Sequence, residues 1–342
     1  MLSLVIGKFY VRLKFMKKIK YIILLLLNIL FLPLYILFGL ISFLLSFLPI
    51  FPTQTAKQNL KQQLNITGIK TNILITQVYL NYLYYSVEAF FFQKLNLNIC
   101  EFSDDFIYPV FYAELQEKYP ALREKGIVYI LSHMANVEMY SLPVIEEVMK
   151  GKHNKLYALA QPAKLKWVNK LLSWYRVRPG MGVVMTDKSL FAQMERLIQS
   201  GQASFCMLVD QKPKNGGLFI KFFNDYAAFP TSGLRMCMNQ GMVIAYAAAY
   251  RVIPGVVKLK MQSGKNPHLK KNILENYQQI YTRDEDLVPA KLFDAENIKQ
   301  REAQTALEMA HFTKWIEEQI REHPNQWCWD YRKWSRKPRA QE

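Results

Sequence analysis

Apolar and polar positions fall into two regimes along the chain. From Tyr21 to Phe51 no charged residue occurs over 31 positions, and the run is predominantly apolar. A helix without a polar face belongs in a core or a membrane. About 20 apolar residues span a hydrocarbon core, so the run is ample for one tilted span and short of two. Pro33 and Gly39 inside it leave room for a kink or a re-entrant path. From Pro52 onward, short apolar runs alternate with amphipathic stretches. Strands are predicted over 126–131, 156–160, 182–185, 204–209, 219–223, 243–249 and 256–261. Helices are predicted over 75–92, 137–150, 164–175, 189–200, 232–240 and 300–322. Strands interleaved with helices predict an α/β fold with a largely parallel central sheet and helices on both faces. To this the apolar run adds an N-terminal transmembrane or membrane-anchoring helix. The predicted division is a basic segment over 1–20, an anchor over 21–51 and an α/β domain over 52–342. Sheets of this kind place their chemistry at the carboxyl ends of strands.

Charge sharpens the picture at the N-terminus. Lys8, Arg12, Lys14, Lys17, Lys18 and Lys20 precede the apolar run with no acid among them, and Lys57, Lys61 and Lys70 follow it. A cleaved signal peptide would carry a shorter apolar region ending in small residues; this one ends in Pro49 and Pro52, which favours an uncleaved anchor. The cation bias leans towards a cytoplasmic N-terminus, which for a simple single pass puts the large domain on the other side. Over the whole chain 44 Lys and Arg stand against 27 Asp and Glu, a net +17, a surface that attracts polyanions. No helix-turn-helix, finger or aromatic-rich RNA motif is visible, so nucleic acid is not an expected partner. Four cysteines without a C-x-x-C pair exclude a disulfide scaffold and a zinc ribbon.

The segment GIVYILSHMANVEMYSL carries the most chemical information. A predicted buried strand ends at Leu131, His133 follows in the turn, Asn136 suits a helix N-cap, and Glu138 falls in the first helical turn. The spacing is H-x4-E. On one straight helix a five-residue offset points the two side chains apart, but a strand–turn–helix junction removes that objection. Histidine is the natural general base near neutral pH, and a carboxylate can hold its tautomer and stabilise the imidazolium. The plainer alternative is a turn histidine beside a glutamate favoured by the helix dipole. No second His or Cys lies at ligand spacing, so no metal site is expected.

The H-x4-D/E pattern after a strand resembles the hallmark of the lysophospholipid acyltransferase superfamily, and further segments follow in order. Tyr175–Arg178 with Gly180 resembles the arginine motif of bacterial lipid A late acyltransferases. Leu197–Gly201, a strand and then Asp210-Gln211 resembles their L-x-x-G…D-Q segment. Phe222-Phe223 with Pro230-Thr231 resembles their F-F-G…A-T stretch. Pro324–Trp334 (PNQWCWDYRKW) resembles their C-terminal P-x-Q-W-x-W-x-x-R-R-W/F, and Asn59-Leu60 after the anchor also fits. Val137 and Lys212 depart from the pattern, standing where relatives often carry Trp and a second Asp.

The resemblance implies that 52–342 is an acyltransferase domain. It would move a fatty acyl chain from acyl carrier protein, or acyl-coenzyme A, to a hydroxyl of a phosphorylated glycolipid, a lipid A precursor. No cofactor is implied, since the acyl donor is a substrate. His133 would deprotonate the hydroxyl with support from Glu138. Arg178, or Arg176, would hold the oxyanion or a substrate phosphate. Asp210, Gln211, Thr231 and Asn136 are the remaining candidates for substrate or oxyanion contacts, with N-capping the default for Thr231. The implied partners are inner-membrane lipid, the glycolipid acceptor and acyl carrier protein. Because that carrier is cytosolic, the implied location is the bacterial inner membrane with the domain on its cytoplasmic side, against the lean of the cation bias. Two alternatives stay open: a related enzyme with another lipid or glycolipid acceptor, and a non-catalytic basic membrane-binding protein.

Overall fold

The computed structural model describes residues 2–120, 122–139, 143–145, 155–160, 181–186, 189–201, 203–213, 217–269 and 300–335. Nine strands are described: β1 (Ile99–Phe102), β2 (Ile127–Leu131), β3 (Lys155–Ala160), β4 (Met181–Met185), β5 (Ala203–Leu208), β6 (Leu218–Phe222), β7 (Asp225–Phe229), β8 (Val243–Ile253) and β9 (Val256–Ser263). Seven form one sheet in the order β1-β9-β8-β2-β5-β3-β4. The five strands from β8 to β4 run parallel; β9 returns antiparallel to β8, and β1 follows β9. Alternation along β2 explains the layers. Val128 and Ile130 enter one hydrophobic cluster, and Ile127, Tyr129 and Leu131 enter another on the opposite face. Gly126 opens β2 at φ +73, where an added Cβ would lie 2.3 Å from the Ala203 carbonyl oxygen, so only glycine lets β2 and β5 approach here.

Two features of the sheet differ from the sequence expectation. The run 219–223 is not a sheet strand but half of a separate antiparallel hairpin, β6–β7, turned by Phe223 at φ 58 and Asn224. The short strand β1 was not predicted, because four residues carry too little periodicity to stand out. The predicted helix over 164–175 lies outside the described residues. In place of a helix starting at 137 there is a single 3-10 turn, Val137–Met139, with further helix described at 143–145.

Helix α1 (Leu2–Leu45) is continuous through Pro33, and its Phe15–Leu45 portion is long and apolar enough to cross a membrane. It ends before the uncharged run does, and α2 (Phe51–Leu64) begins at Phe51 with Pro52 in its first turn. Helix α1 does not stand away from the rest. Lys17 pairs with Glu101 of β1 at 3.0 Å. Asn28 donates to the Pro254 carbonyl at 2.9 Å in the β8–β9 turn. Tyr35 meets Tyr84 edge-on at 4.9 Å, on α3 (Ile69–Val87). From Lys17 to Tyr35 is about 27 Å of helix. Gly255, at φ +90, sits against Leu24, whose side chain an added Cβ would meet at 2.6 Å.

The C-terminal helix Gln300–Glu322 buries Met309, Phe312, Ile316 and Ile320 in the core. The tail after it is core as well: Trp327, Trp329 and Trp334 are 1%, 0% and 5% exposed. Asn59 of α2 fastens this tail by donating to the Trp329 and Tyr331 carbonyls at 2.7 and 3.0 Å.

Candidate active site

β2 and β5 are neighbours in parallel register, with Leu131 opposite Leu208. His133 and Asp210 each lie two residues beyond those partners, so equal overshoot brings them together at the carboxyl edge. Asp210 Oδ1 accepts from His133 Nδ1 at 2.6 Å, and Asp210 Oδ2 accepts from the His133 backbone N–H at 2.8 Å. Trp327 Nε1 donates to the same Oδ2 at 2.9 Å. Asp210 is 1% exposed. With Nδ1 engaged by a carboxylate, the ring carries its proton there and leaves Nε2 as the basic nitrogen.

His133 lines a cavity of about 440 Å³ with Glu138, Gln211, Gln326, Trp327 and Cys328. Its far wall is one face of α3: Val78, Asn81, Tyr82 and Tyr85. Tyr82 donates to Asp330 at 2.5 Å on the rim. Burial disfavours the charged imidazole, but the charge and hydrogen bond of Asp210, with Glu138 adding its own charge, outweigh it and hold the His133 pKa above its usual value. Burial works against the Asp210 carboxylate too, and is outweighed by His133 and Trp327, so its pKa lies below the usual range. Lys333 is fully buried nearby, donating to the Ala228 carbonyl at 2.8 Å and lying over Phe229; burial pushes its pKa down to about 7.

The structure thus brings His133, Glu138 and Gln211 to one cavity, with Asp210 buried behind His133 and not lining it. The carboxylate hydrogen-bonded to His133 Nδ1 is Asp210, while Glu138 acts on His133 through its charge. Asn136 is fully buried and does not line the cavity. Its Oδ1 accepts the Glu138 N–H at 3.2 Å, as expected of a cap, and its amide donates to Glu88 at 2.9 Å. Thr231 precedes the helix Ser232–Asn239 without a side-chain capping bond and is not among the cavity residues. Lys212 donates to Ser335 at 2.9 Å. Arg176 and Arg178 lie outside the described residues.

Sequence reasoning missed the α3 wall and the buried pair Glu88 and Arg251. A signal was present. Glu88 is the one charge between Lys70 and Lys94, and Arg251 the one charge between Arg235 and Lys258. A lone acid and a lone base inside apolar runs suggest a buried partnership.

A family model described as bacterial lipid A biosynthesis acyltransferase matches residues 115–336, more than half of the chain, a range that holds His133, Glu138 and Asp210. No curated protein matches the chain.

Proposed function

The chain belongs to the bacterial lipid A biosynthesis acyltransferase family, and from that premise we propose that it transfers a fatty acyl chain from acyl carrier protein to a hydroxyl of a lipid A precursor, with His133 as general base. The observation that carries this reading is the His133–Asp210 pair opening on the cavity beside Glu138. His133 Nε2 takes the proton of the acceptor hydroxyl. The alkoxide oxygen attacks the thioester carbonyl, forming a C–O bond and a tetrahedral oxyanion. Collapse breaks the C–S bond, and the departing thiolate takes the proton back from His133. Asp210 holds the ring and offsets the imidazolium charge. Arg178, or Arg176, is assigned to the oxyanion or a substrate phosphate on the motif resemblance alone.

The apolar helix supports anchoring in the inner membrane. Acyl carrier protein as donor supports a catalytic domain on the cytoplasmic side, and a protease-protection result that places the domain in the periplasm would count against it. The net charge suits both an acidic carrier and a phosphorylated acceptor.

The test is transfer by the purified, detergent-solubilised protein. Acyl carrier protein loaded with chains of different length serves as donor, and a lipid A precursor lacking secondary acyl chains as acceptor. A mass gain of one acyl chain is expected. An unchanged precursor with folded enzyme and intact donor would rule out this acceptor.

The raised His133 pKa gives a pH prediction. The base works only when neutral, so kcat/KM rises with pH through a limb lying above about 6.5, the ordinary histidine value. Asp210 and Glu138 push that limb up, and Lys333 pushes it down. In Glu138→Gln the limb moves to lower pH. A pH–rate profile checks this, and an unmoved limb would show that Glu138 does not act on His133.

A further inference from the structure

We infer that Glu88, Arg251 and Asn136 form a positioning relay that sets where Glu138 stands relative to His133. The inference rests on the acyltransferase reading above.

Glu88 opens a π-helical turn, Glu88–Phe92, at the end of α3, and its carboxylate is fully buried. Such turns are rare and often sit at functional sites. Arg251, also buried, grips both oxygens: Nε donates to Oε1 at 2.6 Å and Nη2 to Oε2 at 2.9 Å. The Gly255 N–H adds a bond to Oε1 at 2.9 Å. A bidentate guanidinium fixes the plane of the carboxylate. Glu88 Oε2 then takes the Asn136 amide at 2.9 Å. A carboxylate only accepts, so Asn136 must present Nδ2 to it and turn Oδ1 the other way, to the Glu138 N–H.

A second line from Arg251 ends one residue earlier. Its backbone N–H donates to Gln326 Oε1 at 2.6 Å, and Gln326 Nε2 returns a bond to the Arg251 carbonyl at 3.0 Å. The Gln326 carbonyl accepts the Ala135 N–H at 3.1 Å. Ala135 is at φ 47, a backbone conformation that alanine avoids unless its surroundings impose it. Two hydrogen-bonded lines from one arginine therefore converge on Ala135 and Asn136, the middle two of the four residues between His133 and Glu138. The third arm of Arg251 reaches Asn81 in the cavity wall. A buried ion pair is weak evidence for stability by itself; here the remaining bonds of the pair lead to the catalytic loop, to its wall at Asn81 and to the β8–β9 turn at Gly255.

The test is a double-mutant cycle in the full-length, detergent-solubilised protein, using Asn136→Ala, Glu138→Gln and both together. Asn136→Ala is expected to lower kcat about 10- to 100-fold, the scale of a small misplacement at a reacting centre, with the acceptor KM nearly unchanged. The double variant is expected to be no slower than Glu138→Gln. Independent losses that multiply in the double variant, a rise in KM with kcat kept, or a Glu138→Gln enzyme as fast as wild type would each overturn the relay. Should Asn136→Ala fail to fold, Asn136→Ser is read in the same cycle. A wild-type enzyme that transfers acyl chains and depends on His133, yet ignores Asn136, defeats the relay alone. A wild type without transfer to this acceptor defeats the proposed reaction, and one that transfers but is indifferent to His133→Ala defeats His133 as its base.

Discussion

His133→Ala is expected to slow acyl transfer by about 10²- to 10⁴-fold, the contribution of a positioned general base, and Asp210→Asn to fall within about tenfold of it. The second half of that expectation follows from the geometry. Asp210 accepts three hydrogen bonds, from the His133 ring, the His133 backbone and Trp327. An asparagine has one acceptor oxygen and an NH₂ group in the space of the two carboxylate oxygens. If the oxygen stays on the His133 and Trp327 N–H groups, the NH₂ faces Nδ1. The ring then moves its proton to Nε2 and loses the basic nitrogen in the cavity. If the amide turns over, the NH₂ faces two donors in a buried site, at the expense of local order. Either way kcat falls, even where the fold survives. Single-turnover transfer, measured beside circular dichroism and the thermal midpoint, separates the two causes. An Asp210→Asn enzyme with near wild-type kcat would mean that a carboxylate other than Asp210 orients the ring.

The predicted positions 126–131, 133, 138 and 204–210 were legible because their signals are local. A five-residue buried strand, a turn histidine and a second buried strand ending in an acid are each readable within ten residues. Their meeting is also a simple consequence of parallel register, since His133 and Asp210 overshoot paired residues by the same count. What the sequence did not disclose depends on contacts far along the chain. Glu88 and Arg251 are 163 residues apart. The cavity wall comes from α3, whose other side meets α1 through Tyr84, and periodicity reports that a helix has an apolar face without saying what covers it. The hairpin β6–β7 was read as sheet because Phe219–Phe222 alternates like any half-buried strand; only its pairing with Asp225–Phe229 shows that it leaves the main sheet. The buried tail Trp327–Trp334 illustrates the same point: tryptophans beside cations fit a membrane interface and a core equally well by composition, and Asn59 and Asp210 decide it for the core.

Arg251→Met is expected to destabilise the folded protein by about 3–5 kcal/mol, because it strands the Glu88 carboxylate in a site with no exposed surface. Methionine fills most of the arginine stem's volume, so a cavity contributes little and the loss reports mainly the unpaired charge. The companion variant Glu88→Gln/Arg251→Met removes that charge and keeps one acceptor oxygen, which serves the Gly255 N–H or the Asn136 amide but not both, since these bond to different carboxylate oxygens. It is expected to recover part of the loss and to unfold between the single variant and wild type, because one of the two donors then faces the glutamine NH₂ and Asn81 loses its arginine donor. Recovery to apolar-core stability would require replacing the acceptor too, and then the donors of Asn136 and Gly255 would be left buried without partners. The pair therefore differs from an isolated buried ion pair, which apolar residues can often replace without penalty: its oxygens serve the β8–β9 turn, against which α1 packs through Leu24, and the loop between His133 and Glu138. Thermal midpoints of the three proteins in the same detergent decide the matter. A single variant as stable as wild type, or a double variant no better than the single, would show that the Glu88 charge is compensated from elsewhere.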